Sequence, residues 1–552
     1  LVALATFLAA AAGWNNSATF DEPANIFAAY EAVRGRGLWL PEHPPLYKLA
    51  AGIPLHFLPL APPPDGVTVV ARNFPALLHV FLHRSGVEAL TLLRTARLGV
   101  LIFLPLLLWG LYRLGELAAG PPAAWAAVVA AATQPLLLGH AFVVHGDVPA
   151  AACWTWAILW AERWLRNQPR AWVWLGLWVG LALAAKHSGV YLLLFLALRF
   201  LLAQWRGQFP RWRQLGAALS LALGVPWLLI AWTLRHVSVG EEQTLIALVA
   251  ARFVGWESLR DGLISLAEVS CSAAHWLLGL AYVAWVNAHG QGVNFFFGQT
   301  SAGGFWLYFP VALLAKLSVP FFLLSLLGLF RLRWLSSLAR WGLAYTGLFL
   351  LAAMGSSYNI GARHLMPLLP LLALSVGEIL LQLVPWLRQL ALAGLVLSPL
   401  WAFPSYIGHF SLLVGGLPGG EKILNDSNLD WGQDWARLAQ AARKKGWEPL
   451  HLVYLLGDDP ESYGVFAPNL LFSPARLPAG YVALSSFAAQ VGPAWLEAKG
   501  LASQAQRLRE LVSQLQGCQP VGRVGSSITV LLCGAKGPPG PGPAGPTPNP
   551  KE

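Results

Sequence analysis

Long apolar runs separated by short loops dominate this sequence, and no other feature narrows its fold as much. Runs of spanning length lie near 98–118, 122–142, 148–164, 171–186, 188–204, 215–234, 306–330, 338–354, 364–384 and 388–406. A helix needs about 20 apolar residues to cross the hydrocarbon core of a bilayer. The opening run Leu1–Ala12 is too short to span alone. It reads as the end of a further helix, or as the end of a signal peptide without a convincing small-residue cleavage pattern. The total is about eleven transmembrane helices. Lipid supplies no hydrogen bonds, so each run must satisfy its own backbone, as an α-helix does. Residues 1–410 are thus expected to form an all-α polytopic membrane domain.

Composition excludes the main alternatives. A chain of 552 residues would ordinarily hold several soluble domains, but 56% of this one is apolar and 11% is charged, against roughly 25% charged in soluble proteins. The 27 tryptophans suit a chain with many membrane–water interfaces. The net charge of +11 raises the question of nucleic acid. The basic residues fall in short clusters between apolar runs and form no stripe, so no nucleic-acid partner is expected.

Those clusters orient the chain. Arg163, Arg166 and Arg170, then Arg206, Arg211 and Arg213, then Arg331, Arg333 and Arg340, and finally Arg388 share one side if the spans alternate strictly. The positive-inside rule makes that side the cytoplasm. The other side receives the long segments 13–96 and 235–305, the turns near Asp147, Lys186 and Arg363, and everything after about 407. The second long segment, by its length and glycine content, reads as a flexible cover.

The chain changes character near Glu421. Residues 421–535 read as a small extracytoplasmic α/β domain. Asp430 would cap a helix over Gly432–Lys445. Strands are expected at His451–Leu456, Tyr481–Ser485 and Ser527–Leu532, with a helix at Pro493–Gln516. Cys518 and Cys533 flank a hairpin and are either a disulfide or two thiols. The Gly/Pro-rich tail 536–552 is expected to be disordered.

The first outer segment holds the strongest chemical signal. Asp21-Glu22-Pro23 is followed by Pro41-Glu42-His43-Pro44-Pro45-Leu46-Tyr47-Lys48. Ionisable groups beside a membrane are costly, and function is the usual reason for them. Read alone, Asp21 and Glu22 would cap a helix starting at Pro23. The second cluster changes that reading, because paired prolines hold His43 and Lys48 on a rigid elbow. A carboxylate and a cation together near the interface suit a substrate carrying a lipid-anchored phosphate.

Asp-Glu followed by His-Pro-Pro-Leu-x-Lys resembles the first extracytoplasmic loop of the protein O-mannosyltransferase and aminoarabinose-transferase group, glycosyltransferases of the GT-C fold, family 39. Further stretches are similar to the group in order and side: His145-Gly146-Asp147-Val148-Pro149, Gly180 through Lys186-His187-Ser188-Gly189, and Ile360-Gly361-Ala362-Arg363-His364-Leu365-Met366-Pro367. The resemblance covers about residues 15–400. Asn425 through Asp434 is similar to bacterial members with a soluble C-terminal extension, with no role attached to it.

The resemblance implies an inverting transfer of a sugar from a polyprenyl-phosphate donor to an acceptor hydroxyl on a protein, lipid or glycan, at the outer face of the plasma or inner membrane. Asp21 matches the family's general base, with Glu22 supporting it. His43, Lys48, Arg97, Lys186 and Arg363 are the candidates to hold the donor phosphate, and Asp147 and His364 to contact sugar or acceptor. His43 stands where the aminoarabinose transferases carry a Lys. Each residue has a plainer reading: snorkelling at the interface for Arg97 and Lys186, loop hydrogen bonds for Arg363 and His364, an N-cap for Asp147. His140, His145 and Asp147 invite a divalent metal, as do Glu42 and His43. No fourth ligand is identifiable, so no metal or other cofactor is predicted. The competing functions are a glycolipid transporter or flippase, and a non-catalytic protein of the same fold. A transporter would carry polar groups at mid-membrane and often two inverted halves, neither of which the sequence shows.

Overall fold

The computed structural model describes residues 1–61, 76–207, 211–290, 292–455, 457–473 and 477–534, so the tail 536–552 lies outside the described residues. Helices occupy the apolar runs, but several runs are broken. The run 122–142 is two helices, Pro121–Ala132 and Pro135–Ala141, bent by 68°. Pro135 has no N–H to donate and pushes Gln134 into an extended conformation. The run 306–330 is also two helices, Tyr308–Lys316 and Val319–Phe330, parted at the extended residues Leu317 and Ser318 before Pro320.

By length and apolarity four described helices suffice to cross a membrane: Ala89–Ala119, Trp212–Thr233, Ser337–Met354 and Ala362–Gln382. The bent pair raises this to five. The expected total of about eleven assumed unbroken runs of about 20 residues. Val2–Gly13, Ala171–Ala185, Gly189–Trp205 and Val319–Phe330 are apolar but shorter. Asp147–Leu165 lies at the heart of the bundle, with Trp154, Ile158 and Leu159 buried against the neighbouring helices.

The helices present two unlike ends. At one, Arg166 donates to the Leu117 carbonyl and Trp164 to the Gln214 side chain, so the arginine-bearing loop after Leu165 meets the end of Ala89–Ala119 and the start of Trp212–Thr233 there. At the other, the first residue of Asp147–Leu165, the residue after Ala171–Ala185 and the start of Ala362–Gln382 come together.

The described residues of the two long segments form regular elements. Segment 13–96 contains helices Glu22–Arg34 and Pro45–Leu55, a helix at Ala76–Arg84, and then Ala89–Leu101, which starts the long apolar helix earlier than expected. Segment 235–305 differs more from expectation. It forms helices Val239–Ala250, Glu257–Val269 and Cys271–His289, followed by a hairpin of β1 (Asn294–Phe296) and β2 (Gln299–Ser301). Ser238 and Glu241 close a capping box on the first of these helices. Ile246, Phe253, Leu263 and Leu278 bury an apolar core of their own, and Glu242 meets His275 at 2.5 Å inside it. A segment with its own core is a packed layer and not a flexible cover.

The C-terminal part contains β3 (Leu450–Val453), β4 (Gly480–Ser485), β5 (Gln519–Val524) and β6 (Ile528–Cys533), in the order β3-β4-β6-β5. β3 and β4 are parallel, and the other pairs are antiparallel. β5 and β6 form the hairpin expected between Cys518 and Cys533, although no range was assigned to β5. The helix expected at Pro493–Gln516 is two, Gly492–Ala498 and Ala502–Leu515, parted at Gly500 with φ +76°. The first helix begins at Trp435, and Asp434, not Asp430, stands at its N-cap position. Cys518 and Cys533 form a disulfide. The sheet does not stand apart from the membrane-proximal segment: Trp435, Leu452, Val530 and Trp447 share a core with Ile26, Phe27, Tyr30 and Leu92.

Candidate functional site

Asp21 holds the N-cap position of helix Glu22–Arg34, yet its side chain does not cap it. Its carboxylate turns instead toward Arg363, whose NH2 lies 3.2 Å from Oδ2. The side chain of Asp21 keeps 27% of its surface exposed, while that of Arg363 keeps 4%. The Arg363 NH1 donates to His145 Nε2 at 2.8 Å. A guanidinium only donates, so Nε2 must accept and the proton of a neutral His145 sits on Nδ1. Nδ1 lies 2.8 Å from Asp147 Oδ2. Burial holds the His145 imidazole below its ordinary pKa, in keeping with a neutral ring.

Asp147 begins helix Asp147–Leu165 without capping it, and its other oxygen pairs with Lys186 Nζ. Lys186 also lies 3.4 Å from His364 Nδ1 and keeps 15% of its side chain exposed. Four stretches far apart in sequence therefore meet in one alternating network running Asp21, Arg363, His145, Asp147, Lys186, His364. Gly146 makes the approach possible, because a Cβ there would meet the Ala185 carbonyl at 2.6 Å. His43 stands at the edge of this network, its ring 5.2 Å from that of His145. Burial pushes the His43 imidazole well below its usual pKa, which removes it as a cation but leaves its hydrogen-bonding capacity.

The remaining expected residues are placed elsewhere. Glu22 is fully buried and accepts from Thr19 N at 2.9 Å, Val144 N at 3.0 Å and Arg97 Nε and NH2 at 2.8 and 2.6 Å. The other N–H groups of Arg97 go to the carbonyls of Gly13, Asn16 and Ser17 at 2.9–3.0 Å. Every donor of this arginine is thus spent, and neither a supporting base at Glu22 nor a phosphate contact at Arg97 fits that geometry. Lys48 departs from expectation for the same reason. It is buried, and Nζ donates to the carbonyls of Trp39, Leu40 and His43, which fixes the elbow that carries His43. Tyr47 and Asn25 brace the elbow further, through Tyr47 Oη to Asn25 Oδ1 at 2.8 Å and Asn25 Nδ2 to the Val144 carbonyl at 2.9 Å.

Sequence reasoning gave no role to one wall of the site. Ser427 Oγ accepts from Arg363 Nε at 3.2 Å, and the Trp431 ring lies under the guanidinium at 4.3 Å. Trp431 also faces the rings of His140 and His145 at 6.0 and 6.2 Å. Asp426 stands at the rim with φ +57°, an unusual conformation for a residue with a side chain. Burial raises its carboxyl pKa to about 7 despite the charge of Arg363. The available signal was the polar run Asn425–Asp434, dense in Asn and Asp in a stretch without strand or helix periodicity. Among the described residues no group of three His, Cys, Asp or Glu side chains is placed to hold a metal ion.

Residues 91–230 match the sequence model of the dolichyl-phosphate-mannose-protein mannosyltransferase family. No curated protein matches the chain. Among solved structures, ArnT from Cupriavidus metallidurans bound to undecaprenyl phosphate is similar with a TM-score of 0.50 at 13% identity, over 96% of each chain. The archaeal oligosaccharyltransferase AglB from Archaeoglobus fulgidus, in complex with an inhibitory peptide and a dolichol-phosphate, gives a TM-score of 0.45 at 13% identity, over 95% of this chain and 73% of that one.

Proposed function

We propose that the chain is a glycosyltransferase of the GT-C type that transfers a sugar, with inversion, from a polyprenyl phosphate to an acceptor hydroxyl at the outer membrane face. Asp21 takes the hydroxyl proton as the acceptor oxygen bonds to the anomeric carbon. The bond from that carbon to the phosphate oxygen breaks, and the polyprenyl phosphate leaves with the electron pair. Arg363 and Lys186 stabilise the negative charge that grows on the leaving oxygen. His145 and Asp147 hold those two cations in place, and His43 and His364 offer neutral hydrogen-bonding edges to sugar or acceptor. The polyprenyl tail lies between helices, and the acceptor enters from the exposed side of Asp21.

One observation carries this reading: in the charged network of the four stretches the Asp21 carboxylate and the Lys186 ammonium both keep exposed surface, with Arg363, His145 and Asp147 buried between them. A proton acceptor and a cation held apart along one rigid chain suit a displacement in which acceptor and leaving group sit on opposite faces of the sugar. ArnT, with which the chain shares its fold, is seen with undecaprenyl phosphate, which supports the choice of donor class. The arginine-bearing loop after Leu165, at the far end of the helices, supports an outward-facing site.

Mass spectrometry of lipids and proteins from cells with the chain, without it, and with Asp21→Asn tests the function. A sugar-modified product present only with the unaltered chain, together with loss of a polyprenyl-phosphate sugar, is the expected result. Identical profiles in all three refute it.

A further inference from the structure

The stretch from Asn425 to Trp431 lies outside the helical bundle in sequence but against Arg363 in space. Its attachment is tight. Ser427 Oγ donates to the Ile360 carbonyl at 2.6 Å while accepting from Arg363 Nε at 3.2 Å. Asn428 Oδ1 accepts from the Ala362 amide at 3.0 Å. A Cβ on Gly361 would overlap Ser427 Oγ, so the two strands of backbone interlock as closely as glycine permits. The positive φ of Asp426 is held by this packing, and Asp426 N is taken by Asn425 Oδ1 at 2.7 Å.

The consequence falls on one guanidinium. Ser427, His145 and Asp21 take three of the five N–H groups of Arg363, and Trp431 covers one of its faces. A cation over a buried indole is attracted to the ring and shielded from water on that side, so its remaining donors act in a medium of lower dielectric. We propose that Ser427 and Trp431 are positioning residues that aim the two unspent N–H groups of Arg363 at the lipid-linked phosphate of the donor. This rests on the proposed function and adds to it a part for the C-terminal region.

The test is titration of undecaprenyl phosphate, in detergent, into the full-length protein and its variants, alongside transfer kinetics. Ser427→Ala and Trp431→Leu should each weaken binding about tenfold, the equivalent of about 1.4 kcal/mol. The acceptor KM should hardly move. Trp431→Phe keeps an aromatic face and should recover most of the affinity. In an Arg363→Ala background, Ser427→Ala should add no further loss, because its target is gone. Unchanged binding in Ser427→Ala and Trp431→Leu overturns the proposal, as does an undiminished additional loss in the Arg363→Ala background. If Trp431→Leu does not fold, Ser427→Ala alone decides by the same criteria. Absence of binding by the unaltered protein refutes the proposed donor and this proposal with it. Binding that all variants share refutes this proposal alone.

Discussion

Two arginine–carboxylate centres stand side by side, built on adjacent carboxylates. Glu22 and Arg97 form a sealed pair: the carboxylate has four donors, the guanidinium has no donor left, and both side chains are 1% exposed or less. Asp21 and Arg363 form an unfinished pair: one contact of 3.2 Å, a carboxylate open to solvent, and a guanidinium with N–H groups to spare. A buried ion pair with every hydrogen bond made holds structure, and taking away either partner leaves a costly charge behind. A pair left incomplete holds capacity for a ligand. Sequence places the two carboxylates one residue apart, and only the fold separates their tasks.

The contrast is broken most severely by Asp21→Asn. Transfer per folded molecule should fall about 10²–10⁴-fold, with the thermal unfolding midpoint unchanged. A variant that retains the unaltered rate removes Asp21 from the proton-accepting role. Glu22→Gln should do the opposite. It should cost about 3–5 kcal/mol of stability by leaving Arg97 unpaired, while the folded fraction still transfers sugar. Chemical unfolding followed by activity per folded molecule separates these two outcomes, and a Glu22→Gln protein that is stable but inactive would erase the distinction.

Arg363→Lys is the next smaller effect. Lysine is charged but cannot span Asp21, His145 and Ser427 from one planar group. Donor affinity should drop about tenfold, or about 1.4 kcal/mol, with stability little altered, as read by donor titration and calorimetry.

The finest test is of pH. Burial holds the Asp426 carboxyl near 7. Below that pH it is neutral, and above it an anion faces Arg363 and competes with phosphate. The unaltered protein should therefore lose donor affinity relative to Asp426→Asn as pH rises through about 7, by a few-fold. The sign for stability agrees. A carboxyl whose folded pKa is raised favours the folded state while protonated and loses that advantage as pH climbs from about 4 to about 7. Parallel profiles for the two proteins would separate Asp426 from donor binding.

Sequence made the bundle legible because lipid leaves an apolar run few alternatives. It also named Asp21, Asp147, Lys186, Arg363 and His364, which the fold brings into one network, since charged residues at the ends of apolar runs are conspicuous. It failed where the deciding partner lies far along the chain. Glu22 and Arg97 are separated by 75 positions, and nothing local tells that each consumes the other. Lys48 looked available because its three acceptors are backbone carbonyls, which every residue has. Helices Val239–Ala250 and Glu257–Val269 read as a loose loop because they are short and polar on one side. The hairpin between Cys518 and Cys533 was legible but the range of β5 was not, because Pro520 and Gly522 interrupt its strand pattern, and its register shifts between them.

The site draws one carboxylate from Asp21 and the indole beneath its guanidinium from Trp431, much later in the chain. During biosynthesis the first is made long before the second. A ribosome-bound intermediate with its helices already inserted would hold Asp21 and Arg363 yet lack the shelf on which the arginine rests. Under the proposed function, donor binding is thereby deferred until residue 431 has been made, and an intermediate that stops short of it stays silent.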